Sequence, residues 1–142
     1  MFEDPFGFAT CRYSISEHTL CCDCDDGKTS ARVSPENVFS GDGQCRNDPA
    51  CAGKKDEGPT PPGDYEMVPS TKYGGSWWLK DPWIQRQLWK LGIGRSGFFL
   101  HLGTVSLGCI TVIKTKPAAV QEWENLKKLL EKESKNTMTV VN

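Results

Sequence analysis

Seven cysteines in a chain of 142 residues set the first limit on what this sequence can become. A protein kept in a reducing cytosol seldom carries so many, whereas small exported domains use them to support a modest core. Cys11, Cys21, Cys22, Cys24, Cys45 and Cys51 crowd the first part of the chain, and Cys109 stands apart. With Cys109 set aside as a free thiol, the other six allow up to three disulfides, in any of fifteen connectivities that sequence alone does not distinguish. Cys45 and Cys51 are the pair expected first, because they bracket the turn-forming run Arg46-Asn47-Asp48-Pro49-Ala50 and would close a short loop. His18 beside Cys21, Cys22 and Cys24 raises the question of zinc. Zinc ligands must converge in a tetrahedron, but on a strand Cys22 and Cys24 share one face and Cys21 takes the other. Disulfides or buried thiols are expected there, and neither a metal nor another cofactor is expected.

The length suits one domain, 1–142, with a modest core. A net charge of -1 and a pI of about 6.1, with no block of Lys or Arg, give no footing for nucleic acid or an anionic membrane. No apolar run approaches the roughly 20 residues of a membrane span. Met1-Phe2-Glu3-Asp4-Pro5 has neither the basic nor the apolar part of a signal peptide. Cysteine use suited to an oxidising compartment, without that signal, fits export by a machine that needs none, or a piece cut from a longer chain.

The pattern along the chain is mainly β. Residues 1–39 read as a hairpin region: Tyr13, Ile15 and Thr19 are spaced for one strand face, and Asp26-Gly27 turns into a return strand through Thr29 to Val33. Residues 34–63 read as loop, ending in Pro61-Pro62-Gly63-Asp64 and a strand at about Tyr65 to Val68. Trp77, Trp78, Trp83 and Trp89 follow. Asp81-Pro82 is placed to start a short helix with Ile84, Leu88 and Leu91 on one face. The indoles either line a groove for a substrate or partner, or pack on the sheet. Pro117 to Glu133 reads as a helix, with Ala119, Trp123, Leu126 and Leu130 inward and Glu122, Asn125, Lys128 and Glu131 on a solvated face. Thr137 to Val141 returns to β character and is expected to close the sheet.

The chemistry gathers in Arg95 to Val112. Phe98-Phe99-Leu100 reads as a buried strand ending at His101, and Ile110-Thr111-Val112 as another beginning after Cys109. The linking residues, with Gly103 and Gly108, are short enough to fold His101 back toward Cys109. A thiolate is the nucleophilic form of cysteine, and an adjacent imidazole takes and returns its proton. The amides around Gly108 and Cys109 are candidates for holding the oxyanion of a tetrahedral intermediate. Against this stands the reading of Cys109 as a buried apolar residue.

The flanking residues favour the catalytic reading. Phe98-x-Leu100-His101 followed by Ser106-x-Gly108-Cys109-Ile110 resembles the signature of the L,D-transpeptidase superfamily. The short separation and Thr111 look most like its type VI secretion effector branch, which acts as antibacterial toxins. Thr60-Pro61-Pro62-Gly63-Asp64-Tyr65 is similar to the Thr-Pro-x-Gly-x-aromatic segment that precedes a core strand in the same superfamily. Two positions depart from it: Leu107 stands where many members have a second His, and Thr111 where they have an Arg for a substrate carboxylate. The resemblance implies a compact β-sandwich or barrel over about 40–141. It also implies a peptidoglycan substrate, with Cys109 attacking the carbonyl between meso-diaminopimelate and D-Ala of a tetrapeptide stem. Release to water is L,D-carboxypeptidase action; release to another D-amino acid is exchange. His101 is then the base, Ser106, Trp77 and Trp78 contact substrate, and Arg95 is the candidate for the carboxylate, ahead of Lys80, Arg86 and Lys114. The implied partners are stem peptides, a cognate immunity protein and a component of the secretion machine, with action in the target-cell periplasm. Two further classes remain: a papain-like cysteine amidase, in which Cys precedes His and opens a helix, and a non-catalytic binding module built on the tryptophans.

Overall fold

The computed structural model describes residues 8–24, 30–81, 97–133 and 135–142. The Asp26-Gly27 turn, the helix expected after Pro82 and Arg95 lie outside the described residues. Among the described residues nine strands form one sheet: β1 (Phe8–Ser14), β2 (Thr19–Cys22), β3 (Ala31–Val33), β4 (Val38–Ser40), β5 (Gly63–Ser70), β6 (Ser76–Lys80), β7 (Phe98–Gly103), β8 (Ile110–Ile113) and β9 (Lys135–Val141). Their order is β3-β2-β1-β9-β5-β6-β7-β8-β4. The pairs β1–β9 and β7–β8 are parallel and the rest antiparallel.

The two edge strands, β3 and β4, are neighbours in the chain, separated only by residues 34–37. Nine strands laid flat would hold their outer members about 38 Å apart, at about 4.8 Å per gap. The link between β3 and β4 spans no more than about 19 Å when fully stretched. The sheet therefore curls into a nearly closed barrel, with the link at its seam. Helix α1 (Pro117–Lys132) pins that seam. Its Glu122 carboxylate accepts from the Ser34 amide at 3.1 and 3.2 Å, from the Ser34 hydroxyl at 2.8 Å and from Asn37 Nδ2 at 2.6 Å. Glu122 was expected on a solvated face; it is instead half-buried and accepts from the Ser34–Asn37 turn.

The inward stripe of α1 is as its periodicity requires, with Ala119, Trp123, Leu126 and Leu130 buried and Leu129 beside them. Trp123 packs edge-on against Trp77 of β6, ring centroids 5.8 Å apart. Alternation along the strands does the rest: Tyr13, Tyr65, Met67, Leu79, Phe98, Leu100, Ile110, Val112, Met138 and Val140 share this core.

Three expectations change. The N-terminal hairpin region is three strands rather than two, because the chain breaks at residues 15–18, where His18 takes φ +40° and Ser16 turns to bond the Asn142 carbonyl. The 34–63 region contains β4, three residues too short to show a period. The last strand does not close the sheet but lies inside it, between β1 and β5. The cysteines pair as Cys11–Cys22, Cys21–Cys24 and Cys45–Cys51, with Cys109 outside any disulfide. Cys11 and Cys22 sit directly opposite each other on β1 and β2.

Candidate active site

Parallel neighbours are usually joined by a dozen residues or more; β7 and β8 are joined by Thr104 to Cys109 alone. The connection must run straight back along the strands, so it passes over one face of the pair. Register places His101 opposite Thr111 and opposite Ser76. Leu100, Ile110 and Val112 turn into the core, which leaves Phe99, His101 and Thr111 on the other side, where the returning loop lies. Thr111 Oγ1 lies 3.4 Å from the Val105 carbonyl of that loop. Cys109, half-buried, ends that loop and directly precedes β8.

His101 is inside β7, not at its end, and only 5% exposed. Nδ1 lies 3.3 Å from the Leu102 carbonyl and Nε2 lies 3.3 Å from Thr111 Oγ1. A carbonyl only accepts, so the first contact calls for a proton on Nδ1 and leaves Nε2 of the neutral ring as acceptor, toward which the single Thr111 hydroxyl proton turns in place of its bond to the Val105 carbonyl. Burial holds the pKa of His101 below its ordinary value, opposed by the Leu102 bond. The ring is therefore poised as a neutral base. Gly103, two residues on, makes room for it: a Cβ there would come within 2.9 Å of His101 Nδ1 and Cε1.

Tyr73, which the sequence reading passed over, covers the imidazole. Its ring stacks on His101 at 4.4 Å with an interplanar angle of 22°, and meets Phe99 edge-on at 5.5 Å. It is 56% exposed and takes φ +57°, ahead of Gly74 and Gly75, which also have positive φ. An aromatic side chain held in that region is strained, so the turn favours the stack over local comfort. The Tyr73 phenol is pushed up by burial and then by the charge of Cys109, which places the thiol within its electrostatic reach.

Ser106 organises the loop from inside. It is 2% exposed, its hydroxyl donates to the Cys109 carbonyl at 2.6 Å, and it accepts from the amides of Gly108 at 3.2 Å and Gly41 at 3.0 Å. These bonds give Ser106 a part in shaping the loop. The Gly108 amide, expected to help hold an oxyanion, is spent on Ser106. The Gly108 carbonyl points the other way, accepting from Ser40 Oγ at 3.1 Å and from Thr60 Oγ1. Thr60 opens the Thr-Pro-Pro-Gly segment, so the two sequence motifs meet at this one carbonyl.

The tryptophans divide. Trp77 is 5% exposed in the core against Trp123; Trp78, on the outer face opposite Phe99, is half-buried. Of the alternatives for a carboxylate, Lys80 is half-buried on β6 and Lys114 exposed after β8, while Arg95 and Arg86 lie outside the described residues. Among the described residues no group of His, Cys, Asp and Glu is arranged to hold a metal ion.

Fold and site thus describe a barrel-like β protein with a buried histidine on one of two adjacent parallel strands and a non-disulfide cysteine just before the other. The Tlde1 domain matches residues 35–141, most of the chain, so the chain belongs to that family, which is associated with type VI secretion effectors of L,D-transpeptidase type. Searches of curated proteins and of solved structures found no match.

Proposed function

We propose that the protein is a cysteine-dependent peptidoglycan-modifying effector, acting on tetrapeptide stems in the target-cell periplasm. Cys109 is the nucleophile and His101 the base that takes its proton and returns it to the leaving amine. Attack at the carbonyl between meso-diaminopimelate and D-Ala gives a thioester, which water or another D-amino acid resolves. Either outcome depletes the donor stems of the wall. A substrate of this kind fits the family, and the observation that carries the chemistry is the juxtaposition of β7 and β8. Their six-residue return ends at Cys109, the one cysteine outside the disulfides, which directly precedes the strand paired with the one that bears His101. A papain-like arrangement is disfavoured because a strand follows Cys109 where that arrangement has a helix. A tryptophan-based binding module is disfavoured because Trp77 belongs to the core. Arg95 stays the proposed carboxylate receptor, and an immunity protein the proposed partner in the producing cell.

Oxidised protein incubated with muropeptides, followed by mass analysis, is expected to release D-Ala or exchange it. Cys109→Ala and His101→Ala are each expected to remain folded and to lose activity by orders of magnitude, because nucleophile and base act as a unit. Near-wild-type turnover in either variant excludes the mechanism; intact stems with the wild-type protein exclude the substrate.

A further inference from the structure

Two hydroxyls converge on the Gly108 carbonyl in a place where a small core gains nothing from polarity. Ser40 and Thr60 are both 0% exposed, and buried hydroxyls are costly unless bonded. A carbonyl offers two lone pairs; here both are taken. Ser40 is itself held on three sides. Its amide donates to Asn47 Oδ1 at 3.0 Å, its carbonyl accepts from the Asn47 amide at 2.8 Å, and its Oγ accepts from the Thr60 amide at 2.8 Å. Asn47 takes φ +58° within the Cys45–Cys51 loop. The disulfide loop, β4 and the Thr60 segment therefore form one rigid frame around a single peptide unit.

That unit is the peptide between Gly108 and Cys109. The described chain has no cis peptide bonds, and in a trans peptide the N–H points opposite to the C=O. With the Gly108 carbonyl anchored inward, the Cys109 amide is aimed away from Ser40 and Thr60. Gly108 sits at φ +139°, a conformation that side chains rarely adopt, so the aim depends on the anchor as well as on the glycine.

We propose that Ser40 and Thr60 are positioning residues for acyl transfer at Cys109, orienting the Gly108–Cys109 peptide so that its N–H receives the developing oxyanion. The inference rests on Cys109 being the nucleophile. The thiolate pair forms the C–S bond while the carbonyl π pair moves to oxygen, and the Cys109 amide meets that oxygen. On collapse the C=O re-forms, the C–N bond breaks and the amine leaves with the proton His101 took from the thiol. A thiolate attacking a disulfide makes no oxyanion, so the two reactions of one sulfur separate positioning from fold.

The experiment compares wild-type oxidised protein with Thr60→Val, Thr60→Ser and Ser40→Ala. Three rates are read: exchange of Cys109 with an aryl disulfide, acylation by p-nitrophenyl acetate, and D-Ala release from tetrapeptide stems. Thr60→Val is expected to slow acylation and kcat by about tenfold to a hundredfold, somewhat less than outright loss of an oxyanion donor. KM and the disulfide exchange rate should stay close to wild type, and Thr60→Ser should restore both acyl reactions. Unchanged acylation in Thr60→Val, or a proportionate loss of all three rates in a folded protein, overturns the proposal. If Thr60→Val does not fold, Ser40→Ala carries the same comparison, with selective loss of acylation supporting the idea and uniform loss or no loss overturning it. Wild-type protein acylated by the ester but inert toward stems would sink the stem-peptide reading alone, because the ester arm still reports on the peptide's orientation.

Discussion

Tyr73 stacks on the His101 imidazole and is expected to limit the water that reaches it. The phenol ring is mostly exposed and the imidazole beneath it almost wholly covered, and covering is what lowers the histidine's pKa. A base works in its unprotonated form, so the acid limb of the kcat/KM profile is expected below the ordinary 6.5. Tyr73→Ala should admit water, raise the pKa and move that limb upward toward about 6.5, whereas Tyr73→Phe should leave it in place. An unmoved limb in the alanine variant would mean the strand and loop, not the ring, exclude water. Gly103→Ala tests the opposite side of the same imidazole. An added methyl would collide with the ring at 2.9 Å, so activity should fall at least tenfold while the melting temperature changes little, since one misplaced side chain of this kind costs rate more than fold. Cys109 and His101 stand out in the sequence as candidates because their chemistry marks them. Tyr73, Ser40 and Thr60 were not recognisable as site residues, because their roles come from contacts between segments far apart in the chain. The only local sign of Tyr73 was the Gly74-Gly75 pair after it.

At the scale of elements, the link between β3 and β4 gathers most of its bonds on one carboxylate, beside single contacts from His18 and Lys116. Glu122→Ala removes the acceptor for the Ser34 amide and leaves buried Asn37 without its partner, at an expected cost of about 1–3 kcal/mol. Chemical denaturation should show it, with Glu122→Gln recovering part; no change in the midpoint would place the seam's stability elsewhere. The periodicity of α1 was plain because sixteen residues give several turns of apolar stripe, yet the same pattern put Glu122 in solvent. Periodicity reports which face is apolar, not which polar residue meets a neighbouring loop. β4 escaped notice because three residues carry no period. The hairpin was read as two strands because Tyr13, Ile15 and Thr19 alternate across a break that only His18 and Ser16 reveal. The parallel pairing of β7 and β8 ran against the ordinary rule that so short a link joins antiparallel strands.

For the molecule as a whole, cysteine chemistry pulls in two directions. Reductant protects a catalytic thiol, so ordinary cysteine enzymes gain from it. Here the Cys45–Cys51 loop frames Ser40, and two more disulfides tie β1, β2 and the turn after them. Closing a loop as small as that from Cys45 to Cys51 is worth about 2 kcal/mol, a large part of the margin of a domain this size. Prior reduction is therefore expected to lower both the melting temperature and D-Ala release, even though Cys109 stays a thiol. A gain in activity on reduction would show the bridges to be dispensable to the site.

The place of β9 has a consequence in time. It pairs with β1 on one side and β5 on the other, and the Ala9 amide is bonded to the Asn136 side chain across 127 positions of sequence. Until Lys135–Val141 is available, β1, β2 and β3 have no strand to join them to the half that bears His101 and Cys109. Contacts this distant in the chain are slow to form. During synthesis His101 and Cys109 are thus made before the barrel that holds them can exist. The proposed site stays unfinished until nearly the last described residue has been added.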